Sequence, residues 1–283
     1  MKYYVLYNPH SNNEKGKEAV AAVKAQLPED SQFYDVTKIK DYAKFFEGVP
    51  ADGKVLILGG DGTLNHFIND VSKLNLTHEI YYKATGTGND FLKDVKDVPE
   101  SGLVQINKYL ENLPTVYVNG KESLFLNGIG YGIDGYCCEV GDKLRVESTK
   151  PVNYTSIAIK GLLFHYKTTK ATITVDGKQH KFNNVWLAPT MNGRFYGGGM
   201  IPTPDQDRLA QPKHLSVMVY HCPNKLKALM IFPSIFKGEH VKHTDTVSIF
   251  TGKDITVEFD SPRALQIDGE TVLGVTKYRA VAK

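Results

Sequence analysis

The sequence predicts an α/β domain with a parallel sheet and helices on both faces, followed by a β-rich antiparallel sandwich domain. Three observations predict it. Strand and helix patterns alternate through the first third of the 283 residues. An apolar run breaks at glycines that open a helix. Beyond about Thr115 short β-rich runs follow one another with Asn-Gly and Asp-Gly pairs between them.

The elements follow in order. Tyr3 to Tyr7 reads as a strand, and Glu14 to Leu27 as a helix with Ala19, Val20, Val23 and Leu27 on its apolar side. Phe33 to Val36 is a strand, Asp41 to Phe46 a short helix, and Val55 to Leu58 a buried strand ending at Gly59-Gly60-Asp61-Gly62. Leu64, Phe67, Ile68, Val71 and Leu74 then recur at helical spacing. Ile80 to Ala84 is strand-like and leads into Gly86-Thr87-Gly88-Asn89-Asp90, after which a helix rich in Leu103, Ile106 and Leu110 closes the series. Among the later strands, Tyr154 to Tyr166 and Lys225 to Phe236 read as helical interruptions. The expected division is 1–121 and 122–283, with the domains in close contact and a cleft between them.

Composition excludes several classes. A net charge of +3, with no dense Lys/Arg block, argues against nucleic acid. Cys137, Cys138 and Cys222 are odd in number and lack CxxC spacing, which suits a reduced, cytoplasmic protein. Met1-Lys2 runs straight into a strand pattern rather than a signal peptide. Ala228 to Phe236, interrupted by Pro233, is far short of the roughly 20 residues that span a bilayer.

A buried strand, a glycine turn and a helix N-terminus is how α/β proteins hold a phosphate, because unpaired N–H groups and the helix dipole attract an anion. Thr63 can cap that helix or donate to a phosphate oxygen. In a parallel sheet ligands gather at the carboxyl ends of strands, where Asn8, Thr37, Gly59 to Thr63 and Gly86 to Asp90 all fall.

Gly59-Gly60-Asp61-Gly62-Thr63 with Asn65, then Gly86-Thr87-Gly88-Asn89-Asp90-Phe91, Gly197-Gly198-Gly199-Met200 and Asp268-Gly269-Glu270 resemble the diacylglycerol kinase catalytic domain, within the group that includes sphingosine and NAD kinases. The resemblance runs from Asn8-Pro9 to the last strand and is to the bacterial-type members. It implies ATP bound by the first domain, an acceptor site in the second, and transfer of the γ-phosphoryl group to a lipid hydroxyl, most simply diacylglycerol to phosphatidic acid. It also implies a Mg²⁺-linked role for Asp61, joined by Thr87 and Asp134. Asn8, Thr37, Gly59, Gly60, Gly62, Thr63, Gly86, Thr87 and Asn89 are the candidate nucleotide contacts. The alternative for Asp61 is a helix cap or turn acid, and Asp90 is equally a loop scaffold.

Attack by a lipid hydroxyl is helped by a carboxylate that receives its proton. Asp268 matches the family's general base, with Glu270 beside it; at i and i+2 of an extended segment both face one side. An Asp-Gly hairpin turn is the plainer reading, as for Asp176-Gly177. Arg194, before the triple glycine, is a candidate for an anionic headgroup. The chain departs from the family at His10-Ser11-Asn12-Asn13, where serine and glycine are usual, and in Pro204 to Leu215, where related enzymes hold a structural Mg²⁺ with paired aspartates. That metal site is not carried over.

Other motifs fail. No GxxxxGK[ST] is present, and Gly130 to Gly135 fits GxGxxG without a clear βαβ unit after it. His240 and His243 read as surface histidines. An NAD-kinase-like phosphotransferase and a non-catalytic nucleotide or lipid binder remain as alternatives. The expected partner is a lipid at the inner membrane face, met peripherally. Leu226 to Lys237 either rests on that interface or packs in the core, and a homodimer through a sheet edge stays open.

Overall fold

The computed structural model describes residues 2–9, 16–85, 89–147 and 152–283. The chain divides into two compact units, Met1–Glu111 and Asn112–Lys283. The division precedes the expected 121/122 because the hairpin at 115–124 pairs with the last strand of the second unit.

The first unit is a five-stranded sheet in the order β2-β1-β3-β4-β5, from β1 (Tyr3–Tyr7), β2 (Gln32–Asp35), β3 (Lys54–Gly59), β4 (Ile80–Ala84) and β5 (Val104–Gln105). All pairs are parallel except β4 with β5. Val55 to Leu58 are buried because β3 is central and covered on both faces, which explains the unbroken apolar run. Alternation sends Val5, Leu56 and Leu58 to one face, against Val23 and Leu27 at α1 (Gly16–Lys24) and just after it. Leu6 and Ile57 face the opposite way, toward Phe67 of α3 (Asp61–Asp70). Asp41 caps α2 (Tyr42–Glu47), accepting from the Lys44 amide at 3.1 Å. The expected helix over Leu103 to Leu110 is instead β5 followed by one turn, α5 (Asn107–Leu110), since Val104 pairs with Tyr82 at the sheet edge. The short α4 (Asp90–Asp94) follows β4.

The second unit is a ten-stranded antiparallel sheet curled on itself. Its long strand β14 (Asp254–Ile267) pairs in its first half with β9 (Thr169–Val175) and in its second with β8 (Gly128–Tyr131). The register breaks around Pro262, which has no N–H to give a ladder. Ile129, Tyr131, Ile173, Val217, Val257 and Leu265 fill the interior. A second apolar layer, with Trp186, Met218 and Tyr220, lies under α6 (Ile133–Glu147), α7 (Tyr154–Lys160) and α8 (Lys225–Ile231). β6 (Thr115–Val118), β7 (Lys121–Leu124), β10 (Lys178–Leu187), β11 (Thr190–Met191), β12 (Leu215–His221), β13 (Val247–Gly252) and β15 (Glu270–Val281) complete the sheet.

Three hairpin turns have both central residues at positive φ: Asn119-Gly120, Asp176-Gly177 and Asp268-Gly269. α6 is not among the elements expected from the sequence. Gly141 in its middle weakens helix propensity, but a side chain there would strike the Tyr154 ring at 2.6 Å, so the glycine permits close packing of α6 on α7. The two expected helical segments are α7 with a π turn at Gly161–His165, and α8 with a 3-10 turn at Phe232–Lys237. His240 is buried rather than on the surface, its Nε2 2.8 Å from the Pro202 carbonyl oxygen. Among the described residues no helix is long and apolar enough to cross a membrane.

Candidate functional site

In the first unit, Asn8, Thr37 and Thr63 line one cavity of about 270 Å³ with Tyr42, His66 and Asp70. It opens where β1 and β2 end and α3 begins, as the strand-end argument requires. The N-cap of α3 is Gly60, with no side-chain cap, and Thr63 stands one turn in. The first amides of the helix therefore have no capping side chain. Burial pushes the Asp70 carboxyl up, against the pull of His66. Burial, aided by Asp70, pushes Tyr42 up to about 12.

Asp61 turns its carboxylate toward the second loop. Its Oδ2 accepts the Asp90 amide at 2.7 Å and its Oδ1 the Phe91 amide at 3.3 Å. This carboxylate pins the start of α4 to the start of α3, so the acid of the glycine turn joins the ends of β3 and β4. Gly59 is buried at the end of β3, and its carbonyl accepts from the Thr85 amide at 2.9 Å and the Tyr82 hydroxyl at 3.2 Å. Gly86, Thr87 and Gly88 lie outside the described residues, as do His10 to Asn13. On either side of that loop Thr85 Oγ1 and Asn89 Oδ1 are buried without a hydrogen-bond partner among the described residues. Asp90 is buried and pairs with Lys93 at 3.1 Å.

In the second unit, Asp268 occupies the first position of a two-residue turn, at φ 48°, and Glu270 opens β15. The extended i, i+2 geometry expected for the pair does not form, because the turn interrupts the alternation. The Asp268 carboxylate accepts three backbone amides: Leu126 at 2.5 Å, Asn127 at 2.8 Å and Gly128 at 3.0 Å. The carbonyl side of the same segment faces a buried cation. Arg208 donates to the Leu126 carbonyl at 3.3 Å and to Asn127 Oδ1 at 3.0 Å, while Asn192 Nδ2 also donates to Leu126 O at 2.8 Å. The Leu126–Asn127 peptide group thus stands between a carboxylate and a guanidinium, its N–H toward Asp268 and its C=O toward Arg208.

Asp134 begins α6 beneath this turn. Burial raises its carboxyl to about 6, opposed by the Gly135 amide and the Tyr196 hydroxyl, which donates to Oδ2 at 3.1 Å. Gly130 has no room for a side chain, since a Cβ would meet Asp134 and the Gln266 amide. Gly197 to Gly199 form a tight loop closed by Tyr196 and Met200, which sets Tyr196 against Asp134. Glu270 is exposed and lies near Cys138, whose thiol rises to about 12 chiefly by burial. Arg194 stacks over Phe195 at 5.6 Å.

Sequence reasoning passes over Arg208, Asn127, Asn192 and Tyr196. Two of them carry a signal: Asn127-Gly128 and Asn192-Gly193 are Asn-Gly pairs at strand ends. Arg208, between Asp207 and Leu209, carries none, and its burial comes from tertiary packing alone.

The donor set does not fit a resident metal. Asp61 has both oxygens engaged by amides, Asp134 is buried under Tyr196, and among the described residues no three His, Cys, Asp or Glu side chains converge. A divalent ion that keeps several waters needs more open oxygens than these. Around Asp205 to Leu215, Arg208 and Lys213 supply cations, and Asp207 is turned to the Leu209 amide at 2.9 Å.

The fold is thus a mostly parallel α/β unit with a glycine turn at a helix start, joined in sequence to a curled antiparallel β unit. The comparisons agree. Residues 2–116 match the diacylglycerol kinase catalytic domain, and residues 127–281 the YegS C-terminal NAD kinase beta sandwich-like domain. The chain belongs to this family. A Bacillus subtilis protein named "Putative lipid kinase YtlR" is 25% identical over 80% of this chain and 76% of its own length. A Mycobacterium tuberculosis "Diacylglycerol kinase" is 25% identical over 72% of this chain and 66% of its own. A Bacillus anthracis crystal structure described as a "putative diacylglycerol kinase" superposes with a TM-score of 0.68 at 19% identity, covering 99% of this chain and 91% of that one, and shares the fold.

Proposed function

We propose that this chain is an ATP-dependent lipid kinase that moves the γ-phosphoryl group to a lipid hydroxyl at a membrane surface, with diacylglycerol as acceptor and phosphatidic acid as product. The observation that carries the reading is the first unit's cavity, where Asn8, Thr37 and Thr63 meet beside the uncapped start of α3. Family membership and the names of the relatives support the choice of a lipid acceptor.

In this reading the amides of Gly60 and Gly62, with Asn8, Thr37 and Thr63, hold the nucleotide's phosphates, and Gly86, Thr87 and Asn89 supply the second loop. Asp61 acts by fixing the two loops to each other. Mg²⁺ belongs to the proposal as the phosphates' own counter-ion, not as a resident of the protein. The bond from the γ-phosphorus to the β–γ bridging oxygen breaks, ADP leaves, and the acceptor oxygen bonds to phosphorus. The acceptor's proton passes to a carboxylate at the Asp268–Glu270 turn.

The two acids take different duties. Asp268, gripped by three amides, is oriented but a poor proton acceptor, because each amide stabilises its negative charge. Glu270, exposed at the start of β15, takes the proton in this reading.

The test incubates the full chain with Mg²⁺ and γ-³²P-ATP against diacylglycerol, a sphingoid base, an isoprenoid alcohol and NAD. Label in phosphatidic acid is the expected result. Label in NADP, or nucleotide binding without transfer to any acceptor, overturns it.

A further inference from the structure

The second unit bears an exposed apolar stripe framed by lysines. α8 buries Ala228 and Ile231 in the layer that also receives Ile157, Ala158 and Leu162 from α7 and the π turn after it. Its outward face carries Leu226 and Met230 one turn apart, exposed by 68% and 74%. The same line continues through exposed Pro233 to Lys237. The π turn touches α8 and lifts Phe164 into solvent, 74% exposed. These are large apolar side chains whose own helices have already satisfied their cores.

The two segments that carry them supply lysines and no acid. Residues 152–170 contain Lys160, Lys167 and Lys170 and no acid; residues 223–238 contain Lys225, Lys227 and Lys237 and again no acid. Lys227 is engaged by Asp245, while Lys160, Lys225 and Lys237 form no ion pair among the described residues. The chain as a whole is nearly balanced, so an excess of lysine over acid in these two segments is local; the carboxylates that adjoin them are Asp245, held by Lys227, and Glu239, beside Lys242.

We propose that this face, built from Phe164, Leu226 and Met230 with Lys160, Lys225 and Lys237 around them, docks the protein on a bilayer rich in anionic lipid. Apolar side chains enter the acyl boundary while lysines stay at the headgroups, the arrangement of an interfacial amphipathic surface. A protein partner with an acidic rim would need a shaped pocket to specify it, and none of the described cavities includes Phe164, Leu226 or Met230; a short exposed stripe with lysines on long stems suits a fluid surface better. The binding is a property of the surface and does not depend on turnover, so it stands or falls separately from the kinase reading.

The test is flotation of the full chain, without nucleotide, on vesicles of phosphatidylglycerol with phosphatidylcholine and on phosphatidylcholine alone. Binding to the anionic vesicles that weakens with salt is expected. Leu226→Gln with Met230→Gln should lower the apparent affinity about 10- to 100-fold, since each removes apolar area that lipid would cover. Tyr117→Gln, an exposed aromatic on β6, should leave it unchanged. Lys225→Gln with Lys237→Gln should reduce binding about tenfold on anionic vesicles and leave phosphatidylcholine unaffected. Thermal melting confirms that each variant is folded, and the lysine pair keeps the test valid if the apolar pair is not. The proposal is overturned if wild type stays with the free protein, if both variant pairs float as wild type does, or if the apolar pair only dissociates a dimer of this chain while vesicle binding persists.

Discussion

Two turns of this molecule share a dipeptide and a backbone shape and differ in everything behind them. Asp176-Gly177 and Asp268-Gly269 both place the aspartate at φ 48°, and both turn its carboxylate back onto main-chain amides. Asp176 accepts Lys253 and Asp254 at 2.9 Å each, at an exposed edge where Asp254 pairs outward with Arg279. Asp268 accepts three amides, and beyond them lie buried Arg208 and Asn192. The dipeptide sets the turn; the buried cation beyond it turns one of the two into a braced anchor. A half-buried carboxylate linked through one peptide group to a buried guanidinium holds its geometry, whereas the exposed copy is screened.

Removing the brace is the harshest way to break the comparison. Arg208→Met should destabilise the protein by about 3–5 kcal/mol in urea unfolding, because it removes the buried cation behind Asp268 and leaves Asn127 Oδ1 without its donor. A loss under ~1 kcal/mol would show that the guanidinium adds nothing to the anchor. The next effect belongs to Asp134 beneath the same turn. Its carboxyl titrates near 6 when folded and near 3.8 when unfolded, so between those values the folded state holds more protons. Stability contributed by this group is therefore lost as pH rises from about 4 to about 6, by up to roughly 3 kcal/mol. Asp134→Asn should flatten that slope; an unchanged pH profile would remove the assigned shift. Smaller again, Asp268→Asn should cost about 2 kcal/mol and Asp176→Asn less than about 1, measured under one set of conditions. Equal losses would erase the distinction between the turns.

Much of the first unit is legible in the sequence because parallel-sheet strands announce themselves as apolar runs and the glycine turn interrupts one of them. Asn8, Thr37 and Thr63, distant in sequence, meet in one cavity simply because they follow or begin elements that share a sheet end. Val104 reads wrongly as helix because its partner Tyr82 is a tertiary fact, and a two-residue edge strand has no period to detect. α6 escapes detection although Ile133, Tyr136, Cys137 and Val140 recur at helical spacing, because Gly135 and Gly141 sit within it and argue against a helix. The turn at Asp268 is legible as a turn, but not what its carboxylate grips: three amides some 140 positions earlier in the chain. Arg208 is invisible, since nothing in Asp-Gln-Asp-Arg-Leu tells a buried arginine from a solvated one.

The division of labour between the two acids is tested most directly by rate and melting temperature together, on Glu270→Gln and Asp268→Asn with Mg-ATP and diacylglycerol. The account predicts that Glu270→Gln melts with wild type and loses about 100-fold or more in kcat, whereas Asp268→Asn loses both stability and rate. Full activity in Glu270→Gln, with Asp268→Asn inactive at an unchanged melting temperature, would contradict it and return the proton to Asp268.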